Sequence, residues 1–183
     1  MSPRAAAVPA PEPTSTRDAI LDAAERCFAD RGFAGVSMRE IAADLLLAFH
    51  GTEARSGPGG WWILPEPELH FGDDVLVPDL AAWRCARMPI VPDAPAIAVA
   101  PDWLAEIISP SSIRHDRIVK MRRYAQEGVS WVWLVDPLAR TLEVLRLEAD
   151  RWTVVSSHAA NEVGRPEPFA AVEIQLARWW LPR

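Results

Sequence analysis

The sequence predicts an α/β (α+β) fold, a mixed β-sheet core with flanking helices, preceded by an N-terminal helical segment. Three observations predict it. Two continuous apolar runs of strand length, 103–108 and 131–135, flank a stretch with helical spacing, 113–127; strand, helix and strand in that order indicate a sheet covered on both faces. Residues 141–147 and 151–156 alternate apolar with polar around Glu148-Ala149-Asp150, which predicts an antiparallel hairpin. Upstream, Ile20, Ala24, Cys27 and Phe28 recur at helical spacing, so they line one buried face of a helix.

The elements follow in chain order. Residues 1–15 are rich in Ala and Pro and lack the continuous apolar stretch of a secretory signal, so they read as a disordered leader of a cytoplasmic protein. Residues 16–49 form the helical segment. Its first helix stops near Gly32, and Ser37-Met-Arg-Glu40 makes a capping box that starts a second helix running to about Phe49. Between Gly51 and Gly60 four glycines and one proline disfavour regular structure. Short strands are expected at 61–64, 69–71 and 75–77, split by Pro65, Pro67 and Gly72. A Pro- and Ala-rich connection, 91–101, leads into the first central strand. The helix at 113–127 stops at Gly128, and a short helix or edge element at 173–180 follows the hairpin.

Composition narrows the function. Half the residues are hydrophobic and the formal net charge is −6, which argues against coating nucleic acid by bulk attraction and leaves only local contacts with it. The apolar runs fall short of the roughly 20 residues that a membrane span needs, so no membrane partner is expected. Cys27 and Cys85 lack partners at metal-ligand spacing and read as small buried hydrophobes.

Glu106 carries the most information. It stands in an otherwise apolar strand, where a carboxylate is costly to desolvate unless it is paired or binds a cation. Asp79 follows Pro78 at the end of the expected 75–77 strand, and an adjacent strand would bring it beside Glu106. Two close carboxylates favour a shared proton or a divalent cation, and hard oxygen ligands with room for water suit Mg²⁺. Lys120 is the only lysine among 19 basic residues; a compact ammonium does what a planar guanidinium cannot. Asp116, Lys120 and Tyr124, the last being the only tyrosine, share one helix face. Arg114, Arg117, Arg122 and Arg123 cluster on that helix and are candidates for phosphate contacts. Ser109 could orient phosphate or water, although Ser109, Ser111 and Ser112 also suit helix capping.

Pro78-Asp-Leu-Ala-Ala-Trp83, Pro101-Asp-Trp-Leu-Ala-Glu-Ile-Ile-Ser-Pro-Ser-Ser112, 116–120, Tyr124-Ala-Gln-Glu-Gly-Val129 and Trp133-Leu-Val-Asp-Pro137 together resemble the Uma-two family of restriction endonucleases, within the PD-(D/E)XK nuclease-like superfamily. The resemblance covers about 57–180, taken as a domain at 57–183. It implies a restriction-endonuclease-like core and Mg²⁺-dependent (or Mn²⁺-dependent) hydrolysis of DNA. Asp79 and Glu106 would be the metal ligands and Lys120 the group that orients the nucleophile. That lysine stands on the following helix, because Ile108 occupies the superfamily's usual lysine position. DNA is the implied partner, with a homodimer left open. Arg17 to Phe33 and Val36-Ser-Met-Arg-Glu-Ile-Ala42 resemble the opening of a TetR-type helix-turn-helix, incomplete after Ala43. The alternatives are therefore a TetR-like DNA-binding regulator and a catalytically inactive fusion.

Overall fold

The run at 103–107 is buried along its whole length, and the other described strands and helices are arranged around it. The computed structural model describes residues 41–46, 49, 60–94, 96–108 and 115–180, with the backbone alone at 115–117. Strands β1 (Trp61–Pro65), β4 (Leu80–Arg84), β6 (Trp103–Ile107), β7 (Trp131–Asp136), β8 (Thr141–Glu148) and β9 (Arg151–Ala159) form one sheet in the order β1-β4-β6-β7-β8-β9. Its β6–β7 pair is parallel, and the other pairs are antiparallel. A second sheet, β3-β2-β5, contains β2 (Glu68–Phe71), β3 (Asp74–Leu76) and β5 (Ala96–Ile97). The two-residue strands β10 (Val163–Gly164) and β11 (Ile174–Gln175) pair with each other. Helix is sparse among the described residues: α1 (41–46), a π-helical turn at His115–Lys120 leading into α2 (Met121–Gln126), and a 3₁₀ turn at Leu176–Trp179. The fold is thus a mixed, sheet-dominated α+β one. None of its described helices is long and apolar enough to cross a membrane.

Successive strand residues point to opposite faces, and the central sheet accordingly has a core on each. Trp61, Ile63, Leu80, Ala82, Trp103 and Trp133 pack with Ile41, Leu45, Phe49 and Phe169. On the other face Ala81, Trp83, Leu104 and Val132 pack with Leu69 and Phe71 of the small sheet and with Met121 and Tyr124 of α2. The first core is largely aromatic: Trp103 meets Trp133 and Phe169 edge to face, with ring centroids 5.0 Å apart in each case, a favoured arrangement of ring quadrupoles.

Several expectations need correction. The strand at 75–77 becomes Asp74–Leu76 and lies in the small sheet, so it is not the neighbour of β6. That neighbour is β4, which sequence reading did not assign. Its five residues, Leu-Ala-Ala-Trp-Arg, are buried at four consecutive positions and show none of the alternation that marks a half-exposed strand. The connection 91–101 contains β5, which pairs in parallel with β2. The hairpin's second strand runs on to Ala159, and its turn uses Ala149 and Asp150 at φ 46° and 61°. The element expected at 173–180 consists of β11 and the 3₁₀ turn. The expected leader and first N-terminal helix lie outside the described residues.

Candidate active site

Alternation along β6 decides where Glu106 points. Trp103, Ala105 and Ile107 belong to the first core, whereas Leu104 and Ile108 belong to the second, with Met121 and Tyr124. Glu106 shares the second parity and therefore faces α2. That helix is anchored by buried Met121 and Tyr124 and by the Trp152 indole, which donates to the Met121 carbonyl at 2.9 Å. It ends at Gly128, whose φ of +74° is a backbone conformation that glycine adopts without steric cost. Lys120 and Tyr124 are four residues apart and so lie on one side of the helix.

Both reach Glu106. The Lys120 ammonium donates to Oε1 and Oε2 at 3.0 Å each and to the Val77 carbonyl at 3.1 Å. The Tyr124 hydroxyl donates to Oε1 at 2.6 Å. Glu106 is 1% exposed and Tyr124 fully buried, so this is a desolvated carboxylate held by a cation and a phenol. Burial pushes the Glu106 carboxyl up to about 8; Lys120 opposes that rise, Asp79 adds to it, and the Tyr124 hydrogen bond opposes it.

Asp79 enters through the β4–β6 register. The last paired residues are Leu80 and Ala105, and one step further the antiparallel pairing sets Asp79 opposite Glu106. Its Oδ2 accepts the Ile107 amide hydrogen bond at 2.6 Å, which continues the ladder with a side chain. Asp102, immediately before β6, secures the other end of the pair. Its carboxylate accepts from the Arg84 amide at 2.8 Å and from the Arg87 guanidinium at 2.9 Å.

The donor set can be compared with cation chemistry. Among the described residues no group of three or more His, Cys, Asp or Glu is placed to hold a metal ion. The two neighbouring carboxylates, Asp79 and Glu106, are of the hard-oxygen donor type that suits Mg²⁺ or Mn²⁺, since Mg²⁺ commonly binds through one or two carboxylates and keeps several waters.

The remaining predicted residues fall elsewhere. Ile108 is 4% exposed in the second core. Arg123 bonds to the Phe71 carbonyl at 2.5 Å and pairs with Asp74 at 3.1 Å and Glu127 at 3.0 Å, so its guanidinium ties α2 to the β2–β3 hairpin. Arg122 borders a shallow depression with Met121, Asp150 and Trp152. Ser109 and Arg114 lie outside the described residues, and Asp116 and Arg117 are described by backbone alone. Sequence reading did not find the Val77 carbonyl, because a backbone acceptor leaves no side-chain signal. Nor did it find the clamp made by Asp102, although an acid directly before a buried strand is a usable one.

A family model described as "Putative restriction endonuclease", Uma2, matches residues 35–178, starting upstream of the 57 boundary read from motifs. A second, described as "Bacterial regulatory proteins, tetR family", matches residues 20–45. No curated protein matches the chain. Among solved structures, the chain is similar to a "putative nuclease belonging to DUF820" from Anabaena variabilis, with 21% identity, a TM-score of 0.64 and coverage of 82% of this chain and 83% of that one.

Proposed function

The chain belongs to the Uma2 family, and on that premise we propose that it is a Mg²⁺-dependent (or Mn²⁺-dependent) endonuclease hydrolysing DNA phosphodiester bonds through Asp79, Glu106 and Lys120. One observation carries the reading: the buried Glu106 carboxylate is bridged by the sole lysine and lies across the sheet register from Asp79. Structural needs alone do not explain placing a carboxyl group inside a core, because an apolar residue would pack there without the desolvation cost.

Asp79 and Glu106 would hold the cation, which when bound acidifies water and neutralises phosphate charge. The chain's own groups do the rest. Asp79 is kept in place by the Ile107 amide and Glu106 by Tyr124. Lys120 has a long stem and three donors, so it can direct one proton to the attacking water or to a non-bridging phosphate oxygen while keeping a bond to the Val77 carbonyl. The water oxygen forms a bond to phosphorus, one P–O ester bond breaks, and the products are a phosphate monoester and a hydroxyl end. The water gives up one proton to solvent and the departing ester oxygen takes one from solvent.

The test is cleavage of supercoiled plasmid with Mg²⁺ by wild type, Asp79→Ala, Glu106→Gln and Lys120→Met. Each variant should lose about 10²-fold or more in rate, the scale of removing one group that stabilises developing charge. Retained cleavage by Asp79→Ala would overturn the proposal. The regulator reading is favoured by the match at 20–45, but Ile41, Ala42 and Leu45 within it are buried against the central sheet, so the face they occupy serves the nuclease-like core. DNA binding without Mg²⁺-dependent cleavage would restore it.

A further inference from the structure

The two oxygens of Glu106 are not equivalent. Oε1 accepts from both Tyr124 and Lys120; among the described residues Oε2 accepts from Lys120 alone. The two donors also differ in their freedom to move. Tyr124 is fully buried, with its ring packed in the second core, so its hydroxyl cannot swing away from Oε1 without repacking that core. Lys120 retains 15% side-chain exposure, and its ammonium already has a second acceptor in the Val77 carbonyl. It can release Oε2 without losing every partner.

We infer that Tyr124 is a positioning residue that reserves Oε1 of Glu106, leaves Oε2 as the one oxygen offered to a cation, and so biases the site towards Mg²⁺ over Ca²⁺. The inference rests on the metal-dependent reading above. Its physical basis is the difference between the two ions. Mg²⁺ demands near-ideal octahedral geometry and keeps most of its water, whereas Ca²⁺ accepts six to eight oxygens and commonly takes a carboxylate through both. A carboxylate with one oxygen held by a rigid phenol suits the first ion and handicaps the second. Tyr124→Phe preserves the ring and removes only the hydroxyl, freeing Oε1 for two-oxygen ligation.

The experiment is calorimetric titration of Mg²⁺ and of Ca²⁺ into wild type, Tyr124→Phe and Glu106→Gln, with circular dichroism as the check on folding. The expected result is that Tyr124→Phe shifts the ratio of Ca²⁺ to Mg²⁺ affinity towards Ca²⁺ by about tenfold, the scale of losing an outer partner of a metal ligand, while Glu106→Gln abolishes binding of both. Equal changes for the two ions, or none, would overturn the inference and leave the metal-dependent reading intact. Wild type that binds neither ion would overturn both. Should Tyr124→Phe fail to fold, the wild type still decides, because Tyr124 is the only tyrosine and ring-labelled protein gives a single hydroxyl-bearing spin system. Its hydroxyl proton must stay hydrogen-bonded and slow to exchange on saturation with Mg²⁺; loss of that protection would overturn the inference.

Discussion

At the level of single residues, Glu106 is the group whose environment most alters its chemistry. Its pKa in the folded chain, about 8, lies above the ordinary 4.5, so folding favours the protonated form. The stability that this contributes is complete below about pH 4.5 and is lost as the pH rises through about 8. In metal-free buffer the stability of wild type relative to Glu106→Gln should therefore fall across that window, as measured by urea unfolding at a series of pH values. A difference independent of pH would show that the carboxyl is not held in this way. The two central tryptophans give a second comparison. The Trp133 indole donates to the Glu167 carbonyl at 2.6 Å, whereas the buried Trp103 indole has no hydrogen-bond partner among the described residues. Replacing each by Phe removes similar volume, so Trp133→Phe should cost about 1 kcal/mol more than Trp103→Phe, the net worth of one hydrogen bond. Equal losses in thermal unfolding would contradict this.

Two elements hold the site in register. The β4–β6 pair sets Asp79 against Glu106, and Asp102 locks its far end through Arg84 and Arg87. Asp102→Ala removes an amide bond and a charge-assisted one, with an expected loss of about 2 kcal/mol; Asp102→Asn, which keeps an acceptor for the Arg84 amide, should lose less. Helix α2 is the other element, and Gly128 ends it. A Cβ there would meet nothing within 4 Å, so Gly128→Ala tests backbone strain alone and should cost about 1 kcal/mol, readable as a lower Tm. A neutral result would mean that the end of α2 relaxes freely.

For the whole molecule, the decisive contact joins segments distant in sequence. Helix α1 buries Ile41 and Leu45 against Trp61 and Phe169, and Asp44 accepts the Trp179 indole proton at 2.9 Å and pairs with Arg178 at 2.6 Å. Ile41, Ala42, Leu45 and Phe49 are thus part of the same core as the central sheet. Leu45→Ala should destabilise that sheet by about 3 kcal/mol, the middle of the range for truncating a buried leucine. The loss should appear equally in tryptophan fluorescence, which reports the sheet core, and in far-ultraviolet circular dichroism. A melt of α1 that left the tryptophan signal unchanged would make it an independent module.

The mixed sheet, the two central strands with a helix between them, and the distinctness of Glu106, Lys120 and Tyr124 are legible in the sequence. Those signals are local: an apolar run, a charge where no charge packs cheaply, and residue types used once. It takes the folded chain to show that 80–84 is the strand beside β6, that 74–76 belongs to another sheet, that Oε1 of Glu106 is shared by lysine and phenol while Oε2 is not, and that α1 packs with the C-terminal turn. Each of these depends on which distant segments meet. Strand partners, desolvation and hydrogen-bond geometry arise from that meeting, and neither periodicity nor composition within a short window encodes it.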